Sequence, residues 1–212
     1  HSQEPPKRGS FFTMLRKPYI GRYIIGYHGC DKATAESLLC GRIDRLAQSM
    51  NKWDWLGPGT YFWVDSPQRA IEWAKSRARL PRSKITTPYA VGALIHAGRC
   101  LNLTDYGATE EIKLAYEYLK KMSETSGSPL PKNDRDDDFG TPVRRYLDCA
   151  VLQIVHQLRK RDNQSPYDTV MGVFEEGGPL FDGSAIRERT HIQIAVLNAA
   201  DCIVGYFTIP GL

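Results

Sequence analysis

The pattern of apolar and polar residues predicts most of the secondary structure of this chain. Runs of β-branched and aromatic residues predict strands over 22–27, 60–64, 89–95, 100–103, 168–174, 191–197 and 202–208. Apolar residues at helical spacing predict helices after Asp31, after Ser66-Pro67, from Thr109 and after Thr141-Pro142. A long polar loop is predicted over 123–140. Because strands and helices do not alternate, this order predicts an α+β domain with mostly antiparallel sheets.

Length and composition indicate one globular domain. The chain has 212 residues, of which 42% are hydrophobic and 25% are charged, as in ordinary globular proteins. No apolar run approaches the roughly 20 residues that span a membrane. We assign the polar, Pro-rich residues 1–18 to a flexible N-terminal arm without a signal-peptide pattern, and residues 19–212 to a single domain.

Charge and cysteine content narrow the chemistry. The net charge of +4 permits a nucleic-acid partner without requiring one. The five cysteines are an odd number and include no CxxC spacing, which argues against a zinc site and against a disulfide framework. We therefore expect no bound metal and a reducing place of action.

Two short stretches place chemistry-bearing residues beside glycine. The sequence "YHGCD" (27–31) ends the first predicted strand, and "LGPGTYFW" (56–63) leads into the second. Each residue has an ordinary interpretation: His28 as a strand-end histidine with a satisfied hydrogen bond, and Tyr61 and Trp73 as core aromatics. Glycines 57 and 59 fit a simple turn. It is the combination that favours a functional site.

Together with "RAIEWA" (69–74) and "THIQIAV" (190–196), these stretches resemble the three motifs of ADP-ribosyltransferases. The resemblance spans roughly residues 22–207 and is to the diphtheria-toxin and poly(ADP-ribose) polymerase branch, whose triad is His, Tyr and Glu. It is strongest to a bacterial group with "GYHGCD", found alone or as C-terminal tips of polymorphic toxins such as Rhs proteins. It implies two mostly antiparallel sheets around an NAD cleft, flanking helices, and NAD as a substrate.

The resemblance also implies a role for each matched residue. Gly29 would present its backbone N–H and C=O to the nicotinamide carboxamide, and His28 would hydrogen-bond a ribose hydroxyl of the adenosine half. Tyr61 would stack on the nicotinamide ring. Trp73 would close the other face of the ring, although it falls one residue later than the family spacing. Such stacking is worth on the order of 1 kcal/mol per contact and orients a ribose that reacts through an oxocarbenium-like state.

The third motif departs from the family, because Gln193 stands where the catalytic Glu is expected. Glutamine can hydrogen-bond a ribose hydroxyl but cannot supply a negative charge to a developing cation. Three alternatives follow: Gln193 suffices for transfer of a single ADP-ribose, Glu188 swings in from the preceding loop, or the domain is inactive. Glu175 and Glu176 in the same loop are further acids. We do not expect chain elongation.

Two regions are candidates for binding the acceptor. His191 lies two residues before Gln193 on the same strand face, where the resemblance implies contact with an acceptor; the alternative is an exposed strand histidine. The segment 75–84 is rich in Lys and Arg, and we assign Arg77, Arg79 and Arg82 to target binding, against the alternative of a solvated helix end. This charge and the toxin likeness favour structured RNA over protein as the acceptor.

Three functions remain open from the sequence. The first is a mono-ADP-ribosyltransferase that modifies RNA or protein, the second is an NAD glycohydrolase, and the third is an inactive fold that binds ADP-ribose or nucleic acid. The toxin likeness implies an immunity or antitoxin protein as a further partner and no membrane partner. It also implies action in the cytoplasm after secretion as the C-terminal part of a larger toxin.

Overall fold

This computed structural model describes residues 21–211, without the side chains of residues 135 and 136; the arm predicted over 1–18 lies outside the described residues. The strands are β1 (Tyr23–Asp31), β2 (Thr60–Val64), β3 (Pro88–His96), β4 (Cys100–Asn102), β5 (Asp134–Asp136), β6 (Pro142–Arg144), β7 (Thr169–Phe174), β8 (His191–Val196) and β9 (Ile203–Phe207). The helices are α1 (Lys32–Leu39), α2 (Pro67–Ala78), α3 (Tyr106–Ser126), α4 (Tyr146–Arg161) and α5 (Ala199–Cys202).

Seven strands form one mixed sheet in the order β4-β7-β8-β2-β1-β3-β9, in which β4 and β7 are parallel and the other neighbours antiparallel. The α+β class is confirmed. The prediction of two mostly antiparallel sheets around a cleft is wrong, because a short ladder between β1 and β2 joins the two groups of strands. Strands β5 and β6 form a separate two-stranded hairpin.

Helices cover both faces of this sheet. Because side chains alternate along a strand, Phe62 of β2 packs with the core next to α1, whereas Tyr61 and Trp63 lie on the opposite face. That opposite face carries α2 over β1 and β3, and carries α4 over β7 and β8. Burial of each large apolar side chain contributes about 1.5–3 kcal/mol. The candidate site lies on this face, between α2 and α4.

The first helix begins as the sequence predicts. Asp31 Oδ1 accepts a hydrogen bond from Ala33 N at 3.0 Å and caps α1. Asp31 Oδ2 accepts from the N–H groups of Thr86 and Thr87. These backbone hydrogen bonds hold the pKa of Asp31 well below its usual range. A single carboxylate therefore fixes both the start of α1 and the start of β3.

The fourth helix does not begin where the sequence predicts. Residues 142–144 form β6, and α4 begins at Tyr146. Asn133 Oδ1 accepts from Leu147 N at 2.8 Å and supplies the cap from a distant loop. The polar loop predicted over 123–140 is likewise shorter, because α3 continues to Ser126 and β5 follows. Among the described helices, none has both the length and the apolar character needed to cross a membrane.

Candidate active site

A split between two central strands forms the base of the site. Strands β1 and β2 are fully described, and they pair only at Gly26↔Val64 and Tyr27↔Trp63. In an antiparallel strand, alternate residues direct their backbone polar groups to the same neighbour. Ile25 O accepts from Asp65 N just after β2, so the odd-numbered residues of β1 face β2. The N–H and C=O of Gly29 therefore point into the split, where β2 does not pair with them.

The glycine at position 29 has a packing reason as well as a chemical one. A Cβ there would collide with the carbonyl oxygen of Ala70 on α2 and would lie 3.2 Å from Trp73 Cε3. Only glycine lets the backbone of α2 approach β1 so closely. This approach brings Trp73 beside the open peptide groups of Gly29.

His28 bridges the split. Its Nδ1 lies 2.8 Å from the carbonyl oxygen of Tyr61, and a carbonyl can only accept, so Nδ1 carries the proton and Nε2 is an acceptor. Burial lowers the pKa of His28, so its ring is neutral at pH 7. The predicted satisfied hydrogen bond is present, and Nε2 keeps the polarity needed to accept from a hydroxyl.

Tyr61 is held at its hydroxyl end. The phenol oxygen donates to Gly57 O at 2.6 Å and accepts from Leu56 N at 2.8 Å. Burial raises the pKa of Tyr61, so the hydroxyl is committed to structure rather than to proton transfer. The ring itself is half-buried, and its stacking role stays a prediction.

Two tryptophans lie on α2 and β2 next to the split. Trp73 is 38% exposed and its ring centroid lies 5.9 Å from that of Trp63. Trp63 is buried, and its indole Nε1 has no hydrogen-bond partner in the described structure. A buried donor without a partner is costly, so an acceptor brought against Trp63 would remove this cost. The sequence analysis missed Trp63, because its strand reads as ordinary core.

Gln193 occupies the strand next to β2, in register with Trp63. Its amide nitrogen lies 2.9 Å from His191 Nε2, and His191 Nδ1 lies 2.7 Å from the carbonyl oxygen of Arg189. Since that carbonyl only accepts, Nδ1 is the protonated nitrogen, and Nε2 accepts from the Gln193 amide. Burial lowers the pKa of His191, which agrees with a neutral ring. The chain of bonds orients Gln193 with its carbonyl oxygen turned away from His191.

His191 is enclosed rather than exposed. Its side chain is 1% exposed, with ring contacts to Trp55, Trp63 and Phe174. The interpretation as an exposed strand histidine is therefore wrong, because this face of β8 is covered. The direct acceptor contact predicted for His191 is not available in this conformation, and its visible role is to hold Gln193.

The acids of the preceding loop lie at different places. Glu176 Oε2 lies 3.7 Å from His191 Nδ1 and 2.6 Å from Arg69 Nη2. Glu188 is exposed and bonded through its N–H to Gly178 O within its own loop. Glu176 is therefore the carboxylate in contact with the Gln193 side of the site.

The basic segment adjoins the site through one residue. The Arg77 guanidinium lies 5.7 Å from the centroid of the Trp73 ring. Arg79 caps the end of α2, Arg82 follows in the loop, and all three arginines are exposed. This placement is compatible both with target binding and with a solvated helix end.

Two cavities adjoin the site on the side of α4. One, of about 360 Å³, is lined mainly by apolar residues that include Trp55 and Leu152. The other, of about 500 Å³, lies between residues 140–142 and the strand end at 173–175. Both are lined by Arg145 and Phe174, and neither is lined by His28, Gly29 or Gln193. Nothing in the sequence indicated them, because they join segments far apart in the chain.

Comparisons with known proteins identified no similar protein. A scan against protein-family models and searches of curated proteins and solved structures found no match. Within residues 21–211, no group of three His, Cys, Asp or Glu side chains is placed to hold a metal ion. The assignment of function therefore rests on the site geometry and on the motif resemblance.

Proposed function

We propose that this domain is a mono-ADP-ribosyltransferase that takes NAD as a substrate and transfers ADP-ribose to structured RNA. The observation that carries the proposal is the split between β1 and β2, where the peptide groups of Gly29 lie beside Trp73. A carboxamide offers one acceptor and two donors, so it complements an adjacent backbone N–H and C=O. Nicotinamide carries such a carboxamide on a flat ring, which suits the neighbouring aromatic side chains.

The remaining residues fit the two riboses of NAD. His28 Nε2 would accept from a hydroxyl of the adenosine ribose, and Gln193 Oε1 would accept from a hydroxyl of the nicotinamide ribose. The bond between the ribose carbon and the nicotinamide nitrogen breaks, with its electron pair leaving on nicotinamide. The oxygen of an acceptor hydroxyl then bonds to that carbon, and the hydroxyl proton is released to solvent. The aligned Gln193 carbonyl dipole stabilises the positive ribose less than a carboxylate would, which fits transfer of a single unit.

The carboxylate of Glu176 favours a second candidate, an NAD glycohydrolase. Its Oε2 lies 3.7 Å from His191 Nδ1, from where it could accept a proton from an attacking water. The two functions share the NAD residues and differ in where ADP-ribose ends. With labelled NAD as the substrate, RNA modification places the label on a macromolecule, whereas hydrolysis leaves the label on a free small molecule.

The test uses two tryptophans of equal exposure. Trp73 and Trp53 are each 38% exposed, but only Trp73 lies beside Gly29. We expect Trp73→Leu to lower NAD turnover at least about tenfold, the loss of about 1.4 kcal/mol of binding, and Trp53→Leu to leave it unchanged. Equal rates in both variants, with folding intact, would remove the assignment of NAD to the split.

The acceptor is tested with labelled NAD and a total bacterial lysate. Separate ribonuclease and protease treatments then report where the label resides. Label that ribonuclease removes and protease does not supports an RNA acceptor. Label that only protease removes identifies a protein acceptor, and label that stays free identifies the glycohydrolase.

A further inference from the structure

We infer that the two cavities beside the end of β7 together bind a nucleobase and its phosphate. This inference rests on the proposed function in one respect, namely that the bound nucleotide belongs to the RNA acceptor. Binding itself requires no NAD chemistry, so it can be tested alone. The smaller cavity would take the base, and Arg145, where the two cavities meet, would take the phosphate.

Two intervening rings link the smaller cavity to the candidate catalytic amide. Trp55 forms part of its wall. The Trp55 ring stacks on His191 with centroids 6.4 Å apart and planes at 25°. His191 in turn bonds the Gln193 amide. The rings of Trp55 and His191 therefore connect this cavity to Gln193.

The lining of the smaller cavity suits a flat, weakly polar ring. Trp55, Tyr116 and Phe174 contribute aromatic surface, and Leu103 and Leu152 contribute aliphatic surface. Its volume of about 360 Å³ falls in the range of sites for small molecules. Every nucleobase has a π-face that stacks on aromatic side chains, which is how single-stranded nucleic acids are commonly held.

Arg145 is a cation whose charge is incompletely matched by the protein. It immediately precedes α4, and its guanidinium lies 4.1 Å from the centroid of the Trp55 ring and 5.1 Å from that of Phe174. Nε donates to Pro142 O at 3.3 Å, and Nη1 lies 3.8 Å from Asp148, beyond hydrogen-bonding distance. Nη2 donates to no atom of the described chain. A guanidinium with free donors, partly removed from water, favours an anion such as phosphate.

The larger cavity gives room for the rest of a nucleotide chain. Gly140, Thr141 and Arg187 lie on its wall, with Glu175 also lining it. Over both cavities, three cations and three carboxylates are present, so overall charge does not select the ligand. The selection comes from Arg145, which alone among these charged residues lines both cavities.

The experiment measures binding of 5′-mononucleotides to the full chain by calorimetry, without NAD. Nucleosides and inorganic phosphate are the partial probes. We expect a nucleotide to bind at least about tenfold more tightly than either probe, because its base contacts the smaller cavity and its phosphate contacts the Arg145 guanidinium. Arg145→Met should weaken nucleotide binding about tenfold and nucleoside binding much less. Trp55→Leu should weaken both.

A neighbouring pair of residues gives the matched control. The Arg144 guanidinium lies 5.6 Å from the centroid of the Trp53 ring, yet neither residue lines either of the two cavities. We expect Arg144→Met and Trp53→Leu to bind nucleotides like the unaltered chain. If Trp55→Leu does not fold, Ile112→Phe fills the same cavity from α3 and should exclude the base.

The outcomes separate this inference from the proposed function. Nucleotide binding that is lost equally in Arg144→Met and Arg145→Met, or no nucleotide binding at all, overturns the inference. An acidic aromatic peptide that binds through Arg145 while nucleotides do not also overturns it and assigns the cavities to a protein. Nucleotide binding that depends on Arg145, in a chain that neither binds nor cleaves NAD, supports the inference and overturns the proposed function.

Discussion

Two arginines at opposite ends of α4 are each stacked on an aromatic ring, and they differ in how fully neighbouring groups pair with their charge. The Arg159 guanidinium lies 4.2 Å from the centroid of the Tyr167 ring, bonds Glu111 at 3.1 Å, and donates twice to Ser165 O. Arg145 has a similar stack, but its two counter-charges, Asp148 at 3.8 Å and Glu176, make no hydrogen bond with it. One cluster is complete within the protein and the other is not.

The comparison shows how a structural cluster differs from a binding cluster built of the same residue types. Around Arg159, the Tyr167 hydroxyl also donates to Glu111, so the carboxylate, phenol and guanidinium satisfy one another. This closed cluster ties α3 to α4 and needs no ligand. Around Arg145, the aromatic rings border a cavity. Completing that open cluster requires a group from outside the chain.

The largest expected effect is on the closed cluster. Glu111→Gln leaves the buried Arg159 without its counter-charge, and we expect the free energy of unfolding to fall by about 3–5 kcal/mol. Urea denaturation measures it. Glu110→Gln, which breaks an exposed pair with Lys113 on the same helix, should cost less than about 0.5 kcal/mol.

The corresponding change in the open cluster should cost little stability. Arg145→Met removes a cation that burial already disfavours, as the lowered pKa of Arg145 indicates. We expect the free energy of unfolding to change by less than about 1 kcal/mol. A loss as large as that of Glu111→Gln would show that Arg145 is structural and would erase the difference between the two clusters.

Local signals in the sequence predicted much of the framework and little of these clusters. The helix cap at Asp31 and the strand over 60–64 were predicted correctly, because their determinants lie within a few residues. The cap of α4 was missed, because Asn133 reaches it from another segment. Burial of His191 was missed because alternation assigns a residue to a face but does not show what covers that face.

A histidine lies beside each cluster, and the one beside the closed cluster is His156, near Tyr167. Burial, with a smaller contribution from Arg159, lowers the pKa of His156 to about 4, and its Nε2 has no hydrogen-bond partner in the described structure. The unfolded chain therefore binds more protons between about pH 6.5 and pH 4, so stability falls as pH falls through this window. We expect this histidine to account for about 3 kcal/mol.

Denaturation of the unaltered chain and of His156→Met at several pH values measures that contribution. The stability of the unaltered chain relative to the variant should rise steadily as the pH rises from about 4 to about 7. A constant difference over the whole range would mean that His156 does not titrate in this way.

His191, beside the open cluster, should affect turnover instead. Its neutral ring accepts from the Gln193 amide, and burial lowers its pKa below the usual value. Glu176 favours protonation of this ring, whereas Arg69 and Arg145 oppose it. As pH falls through the lowered pKa, Nε2 gains a proton and loses the Gln193 bond. We expect NAD turnover to fall about tenfold, as for the loss of about 1.4 kcal/mol of hydrogen bonding.

A variant sharpens this prediction. In Gln193→Glu, the carboxylate favours protonated His191, so the inflection in turnover should move to higher pH. Imidazole nitrogen shifts measured by NMR report the tautomer and the titration directly. An acid limb that is unchanged in His191→Gln would assign the pH dependence to another group.

The smallest expected effect concerns the exposed arginines, which belong to neither cluster. Arg77, Arg79 and Arg82 are open to solvent, so any phosphate contacts they make are screened by salt. Each contact to a single strand adds about 0.7 to the logarithmic salt slope. Replacing all three by Ala should therefore lower the slope of RNA modification by about 2, while NAD hydrolysis without RNA stays the same.

Because the Arg145 contact lies in a partly buried site, Arg145→Met should lower RNA modification at every salt concentration and reduce the slope by no more than about 0.7. If the triple variant keeps the original slope, the arginines of the 75–84 segment form a solvated helix end and the cavities alone hold the acceptor.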